Sequence, residues 1–356
     1  MKKAAKMLII LVILGLFSVT ASADATDKYI SEYEKIIPEE FSDVQSEIKN
    51  GELDAEELFT RVADIFSGKL PSAFLFLSSL LGLILIMWCA SILPENIRGA
   101  VGGALSIIAA LYVGGRVSGV FSEISSALDK AGRFFSLAIP VFSALTLAGG
   151  GVKGAVSQAA GMNIVLSAVG GGFGAALSLL SGFSLAMGLA SSVGSEGGEA
   201  VNKYSKSIFA WVFGIATSLL MGFLSLQSFV SASADSAALR MAKYLASGTL
   251  PLVGGAVSAS LSTLAAGLSY AKGVIGASAI TVLLIMLLSP LALVLFYRIS
   301  LSLASGFARF LGVSSAERTF VSFRSSFDIL IGVYCLCGIL YVFEIILFIK
   351  SGVAAL

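Results

Sequence analysis

The chain contains eight apolar runs, each close to the length of a helix that crosses a membrane. Such a helix takes roughly 20 residues, because the hydrocarbon core is about 30 Å thick. The runs lie at 72–93, 100–119, 134–152, 154–172, 174–193, 208–230, 275–297 and 326–349. Charged residues make up only 13% of the chain, about half the fraction usual in soluble proteins. The sequence therefore predicts an all-α polytopic membrane protein with about 7–8 membrane segments, re-entrant or interfacial helices included.

The third to fifth runs leave several arrangements open. Between Lys153 and Glu196 lie 42 residues without a charge, about twice the length of one span. This stretch could form two short helices with a turn at 170–172, a re-entrant hairpin, or one span followed by a surface helix. Basic residues concentrate in cytosolic loops. That bias favours an even number of crossings here, with eight basic residues inside and seven outside, over a single crossing, which gives six and nine.

The first 23 residues predict a cleavable signal peptide. Lys2, Lys3 and Lys6 precede a short apolar run, and residues 21–23 form an Ala-Ser-Ala cleavage site. A signal peptide implies that the segment before the first span is exported. We therefore expect residues 24–70 to lie outside the cytosol, which fixes the side of every later loop.

The exported segment is acidic and helical in pattern. Residues 24–69 hold 13 acidic and 5 basic residues, for a net charge of −8. Its apolar residues recur on one helical face, at Tyr29, Ile30, Tyr33, Ile36 and Ile37. Either this segment presents a solvated acidic face, or it docks a partner. Docking is favoured, because an apolar stripe needs something to cover it.

The membrane domain, residues 71–356, carries an unusual stretch at 231–273. Its apolar residues fall three and four apart, at Leu250, Val253, Val257, Leu261, Leu264 and Leu268. Arg240 and Lys243 lie on a separate polar face. This pattern predicts an amphipathic helical hairpin at the membrane surface, on the exported side. The two basic residues would then contact either the acidic segment or lipid headgroups.

The composition argues against an enzyme. The chain has no histidine, which removes the commonest general base and metal ligand. Its three cysteines all fall inside apolar runs, where a thiol is usually a small hydrophobe. No catalytic residue, metal site or cofactor is therefore predicted. Glu344 lies about 9 Å before Lys350 in the last run, so it either serves a pathway or reaches water at the span end.

Several short motifs resemble the stage III sporulation protein AE family. They are Leu239-Arg240-Met241-Ala242-Lys243-Tyr244, Leu250-Pro251-Leu252-Val253-Gly254, Lys272, Gly276, Ile139-Pro140, Gly150-Gly151, Gly222 and Gln227. Their order and spacing carry the resemblance, which covers most of the chain beyond residue 70. The candidate assembly or pathway residues are accordingly Pro140, Gly150, Gly151, Gln227, Arg240, Lys243, Pro251, Lys272, Gly276 and Glu344.

The resemblance implies a role in endospore development. Members of this family lie in the mother-cell membrane around the forespore. They act with other stage III A sporulation proteins, in a complex that meets stage II sporulation protein Q across the intermembrane space. The family resemblance thus implies a scaffold or channel component of a feeding-tube apparatus, oligomeric within its complex, in contact with lipid and not with nucleic acid. The alternative is a stand-alone secondary transporter or permease for a small solute.

Overall fold

A computed structural model describes residues 28–41, 55–149, 151–192, 197–249 and 254–351. All regular structure in these ranges is helical, which confirms the predicted all-α class. The helices are α1 (Ala55–Ser91), α2 (Glu95–Ala148), α3 (Val152–Ser167), α4 (Gly174–Ser192), α5 (Gly197–Thr249), α6 (Gly254–Phe310) and α7 (Ser314–Lys350). A short helix at 28–34 and a 3₁₀ turn at Glu39–Phe41 precede them. The predicted signal peptide lies outside the described residues.

Six helices of the described ranges are long and apolar enough to cross a membrane. They are Phe59–Ser91, Glu95–Ala148, Val152–Ser192, Tyr204–Ser231, Ala266–Phe310 and Ser314–Lys350. The sequence predicted more segments because it divided two continuous helices.

The first of these is α2, which contains both the 100–119 and the 134–152 runs. This helix is about 81 Å long, and its chain does not reverse direction. The prediction that the two runs form separate, antiparallel spans was therefore wrong. The intervening residues contain no proline and remain amphipathic. Val120, Ile124 and Leu128 are buried, while Glu123 and Lys130 are exposed.

The second is Val152–Ser192, which contains most of the uncharged stretch. A π-helical segment, Ala168–Phe173, joins α3 directly to α4. A π-helix adds a residue to a turn and lets the helix continue. Both predictions that turned the chain at 170–172, the two short helices and the re-entrant hairpin, were therefore wrong.

The stretch at 231–273 continues the neighbouring spans. Residues 231–249 extend α5, and residues 254–273 form the first part of α6. Pro251 and the expected turn lie outside the described residues, as do the side chains of Arg240 and Lys243. The surface hairpin therefore stays a prediction.

Helix α7 occupies the centre of the bundle and packs against all of α2 to α6. Phe348 stacks on Phe142 of α2 with ring centroids 4.1 Å apart, and Tyr341 lies 4.9 Å from Phe135. The two helices are therefore parallel. Glycine permits the closest approach to α7, because a Cβ at Gly188 would lie 2.1 Å from the ring of Phe323.

The N-terminal segment, residues 28–41, packs on this same bundle. Ile30, Tyr33 and Ile37 are buried, and the Tyr33 ring lies 6.2 Å from Phe142 and 6.4 Å from Phe134. The apolar stripe is thus covered by the chain's own membrane domain. The argument that the stripe needs a partner to cover it was wrong for these residues.

An ion cluster joins α5, α6 and α7 at the N-terminal end of the apolar part of α7. Asp328 accepts hydrogen bonds from Lys206 at 2.5 Å and from Arg298 at 2.6 Å. Charge-assisted hydrogen bonds of this kind are stronger than neutral ones. Arg309 and Glu317, at the α6–α7 connection, are 3.6 Å apart, and Arg309 is largely exposed.

We expect Asp328→Asn to destabilise the protein by about 1–3 kcal/mol, because it removes the shared charged acceptor of Lys206 and Arg298. Thermal unfolding of the purified protein in detergent measures the loss. Glu317→Gln is the matched control and should cost under about 1 kcal/mol, because its partner Arg309 is largely exposed. Equal effects of the two substitutions would contradict the role assigned to the cluster.

Candidate functional site: a buried polar cluster

Five polar side chains from four helices meet at the end of the bundle opposite Asp328. They are Gln158 of α3, Gln227 of α5, Lys272 of α6, Glu344 of α7 and Ser351, which follows α7. We call them the polar cluster. All but Gln227 are buried, so each polar atom depends on the others for hydrogen bonds.

Lys272 caps the C-terminal end of α7. Its Nζ donates to the backbone oxygen of Ser351 at 2.8 Å and lies 3.4 Å from Ser351 Oγ. The ammonium also lies 5.5 Å from the ring centroid of Phe348. A helix C-terminus carries partial negative charge and an aromatic face attracts cations, so both contacts stabilise a lysine that is only 4% exposed.

Hydrogen bonds then tie α7 to α3, and α3 to α5. The single proton of Ser351 Oγ has two acceptors within reach, the backbone oxygen of Phe348 at 2.7 Å and Gln158 Oε1 at 3.1 Å. Gln227 Nε2 donates to the backbone oxygen of Ser157 at 3.1 Å, and Ser157 Oγ lies 3.5 Å from the backbone oxygen of Gln227. These contacts connect residues 70 and 193 positions apart.

Glycines let the helices come close enough for these contacts. A Cβ at Gly161 of α3 would lie 2.6 Å from Glu344 Oε1, so the carboxylate rests directly against the α3 backbone. A Cβ at Gly276 of α6 would lie 2.3 Å from Ile349 Cγ1. Gly151, the residue before α3, also lines the cluster, at the break between α2 and α3.

The cluster borders a cavity of about 20 Å³. Its polar lining includes Thr146, Gln158, Gln227 and Glu344. Glu344 is only 3% exposed, and its Oε2 has no hydrogen-bond partner among the described residues. The site is suited to binding a small polar ligand.

The structure brings together several residues that the sequence singled out separately. Gln227, Lys272 and Glu344 belong to the polar cluster, Gly151 lines its cavity, and Gly276 lies about one helical turn from Lys272.

The other candidates lie elsewhere. Pro140 is exposed inside α2, outside the cluster. Arg240 and Lys243 lie on α5 with their side chains outside the described residues, and Gly150 and Pro251 fall outside them entirely.

Sequence reasoning missed Gln158, Gly161 and Ser351. Gln158 had a usable signal, since it is one of few amides in the 42-residue uncharged stretch. Gly161 and Ser351 had none, because glycine and serine are abundant throughout the chain.

The arrangement provides binding and packing chemistry. In the described part of the chain, no group of three or more His, Cys, Asp or Glu side chains could hold a metal ion. Cys335 and Cys337, the cysteines of α7, form no disulfide. The cluster offers a carboxylate, two amides, a hydroxyl and an ammonium.

Comparisons with known proteins identify the family. A family model described as stage III sporulation protein AE matches residues 40–352, nearly the whole chain. No curated protein and no solved structure matches the chain.

We expect Gly276→Val to loosen the polar cluster, because the added side chain collides with Ile349 and drives α6 away from α7. The thermal unfolding temperature in detergent should fall by several degrees. Gly273→Val is the matched control on the same helix, since a Cβ there meets nothing within 4 Å.

The double variant Gly276→Val with Ile349→Ala should recover part of the loss by removing the obstructing side chain. An unfolding temperature as high for Gly276→Val as for Gly273→Val would contradict the close α6–α7 contact.

Proposed function

Because the chain belongs to the stage III sporulation protein AE family, we propose that it is a membrane subunit of the mother-cell-to-forespore trans-envelope complex. It acts there as a non-enzymatic scaffold or channel component required for endospore development. Its partners are other stage III A sporulation proteins and, through the complex, stage II sporulation protein Q. It lies in the mother-cell membrane around the forespore, with residues 24–70 in the intermembrane space.

The observation that best supports a subunit of a larger assembly is the length of its exposed apolar surface. One part of this surface lies on α5, between Lys206 at the ion cluster and Gln227 at the polar cluster. Its exposed side chains include Ile208, Trp211, Leu219, Phe223 and Leu226. This α5 surface spans about 30 Å, the thickness of the hydrocarbon core.

A second apolar surface lies beyond it, at the tip of the α1–α2 hairpin. Helices α1 and α6 are parallel, since Ile65 lines a cavity with Ile285 and Phe76 stacks on Tyr297 at 4.5 Å. Tyr297 is next to Arg298 of the ion cluster, so α1 continues past that cluster for about 15 residues, or about 22 Å.

The exposed residues of this hairpin tip include Leu85, Ile86, Ile92, Ile97 and Ile108. The α5 surface and the hairpin tip together extend over more than about 30 Å, so one bilayer cannot cover both of them. Exposed apolar patches of this kind are typical of interaction sites. The tip is therefore the surface we assign to contacts with other membrane subunits of the complex.

A cavity with both polar and apolar lining residues supports the channel role within that complex. About 550 Å³ of space lies between the N-terminal segment, α1, α2 and α6, beside the midpoint of the apolar part of α6. Its lining includes Ser122, Glu123, Ser126, Lys130 and Ser289. Charged side chains at this depth are costly in lipid, and they commonly face water or another protein chain.

The proposed topology places the 231–273 stretch beside the exported segment. If each of the six candidate helices crosses once and residues 24–70 lie outside, α5 ends outside. The sequence predicted the same side for this stretch. Compared with that prediction, α2 crosses once instead of twice, and residues 152–192 cross once instead of an even number of times. The two changes cancel, so the side of every later loop stays the same.

We expect the double variant Ile92→Ser with Ile108→Ser to lose its partners, because both side chains lie on the hairpin tip. Affinity purification from sporulating cells should recover other stage III A proteins with the wild type and much less of them with the variant. Spore formation should fall with it, while protein abundance stays unchanged.

Leu219→Ser with Leu226→Ser is the matched control, since these exposed residues lie on the lipid-facing α5 surface. Partner loss in this control alone would contradict the assignment of the tip. A wild-type protein that purifies as a lone monomer and moves a solute in liposomes, with loss in Glu344→Gln, would favour the transporter instead.

A further inference from the structure

Three buried polar atoms around the small cavity of the polar cluster have no hydrogen-bond partner among the described residues. They are Gln158 Nε2, Gln227 Oε1 and Glu344 Oε2. They come from α3, α5 and α7, and all three residues line the same cavity. Buried polar groups in proteins are almost always hydrogen-bonded, either to protein or to water, so the three atoms together indicate a ligand.

The three atoms fit one particular ligand. The amide Nε2 is a donor, while the amide Oε1 and the carboxylate Oε2 are acceptors. A ligand that satisfies all three must donate two hydrogen bonds and accept one. Water does this, and buried waters typically make about three hydrogen bonds.

The size of the cavity agrees with that choice. The cavity volume of about 20 Å³ exceeds the roughly 10–15 Å³ that one water needs. A metal cation fits less well, because the amide N–H groups of Gln158 would face its positive charge.

We propose that one water molecule binds in this cavity, donating to Glu344 Oε2 and Gln227 Oε1 and accepting from Gln158 Nε2. The water completes a hydrogen-bond chain across four helices. The chain runs from Lys272 through Ser351 and Gln158 to the water, and from there to Glu344 and Gln227. It keeps the carboxylate of Glu344 solvated inside the bundle.

This water gives the polar cluster its cooperativity. No direct hydrogen bond joins Gln158 to Gln227 or to Glu344 among the described residues, so the water is the only link between these side chains. Networks of this kind are stable when every member is satisfied and weak when one is missing. Expelling the water leaves three helices with an unpaired polar atom each.

The direct test is an experimental structure of the full chain at a resolution that shows ordered water. We expect one density feature at hydrogen-bonding distance, about 2.7–3.2 Å, from all three named atoms. An empty cavity would overturn the proposal. So would direct hydrogen bonds between the three side chains that close the cavity.

A cation is distinguished from water by thermal unfolding at constant ionic strength in sodium, potassium or choline chloride. A bound water predicts the same unfolding temperature in all three salts. A saturable rise with sodium or potassium that Glu344→Gln abolishes would overturn the proposal in favour of a cation site.

Gly161→Ala tests the cavity itself, because its Cβ would displace the carboxylate of Glu344 toward the water. We expect the variant to lose the density feature, because the displaced carboxylate takes the space of the water. Gly182→Ala is the matched control on the adjoining helix, since a Cβ there meets nothing within 4 Å. An unchanged density feature in Gly161→Ala would overturn the proposal.

Discussion

The fixing of α7 at both ends by polar contacts is the interaction on which the rest of the bundle depends. Asp328 binds Lys206 and Arg298 at one end, and Lys272 caps Ser351 at the other. About 33 Å of helix separates Asp328 from Lys350, close to the thickness of the hydrocarbon core. In apolar surroundings a polar group gains much from its partner, so each contact sets both the depth and the rotation of the helix that supplies it.

The apolar packing between the ion cluster and the polar cluster follows from this constraint. Helix α7 packs against α2 through stacked aromatic rings. It approaches α4 and α6 closely at glycines of those two helices. Lipid tails are as apolar as the side chains, so close packing and polar contacts hold the helices together. The same logic explains why glycines at 161, 188 and 276 lie where α7 passes, whereas those at 182 and 273 face open space.

The class of the fold could be predicted from the sequence, because membrane spans depend on composition and length. The number of helices could not. Residues 120–133 are polar on one face only, so the amphipathic helix continues, and Gly170–Gly172 are absorbed into a π-helical turn. The burial of Tyr33 was missed because an apolar stripe does not reveal which surface covers it.

Three of the five members of the polar cluster could be predicted from the sequence, but their meeting at one place could not. Glu344 stood out because ionisable residues within apolar runs are few, whereas Gln227 and Lys272 were singled out by the family resemblance. Their convergence depends on helix order and rotation, and Lys272 and Ser351 meet across 79 positions of the chain. Gly161 gave no signal, since its importance lies in the carboxylate beside it.

The central claim is that the ion cluster and the polar cluster lie at opposite faces of one membrane. Cysteine labelling in intact cells tests it most directly. Ser207 adjoins Lys206 and Ser233 lies beyond Gln227; both are exposed at opposite ends of the α5 surface. With the three natural cysteines replaced, a membrane-impermeant thiol reagent should label Ser233→Cys at once. It should label Ser207→Cys only after permeabilisation. Labelling of both positions from the same side would contradict the account.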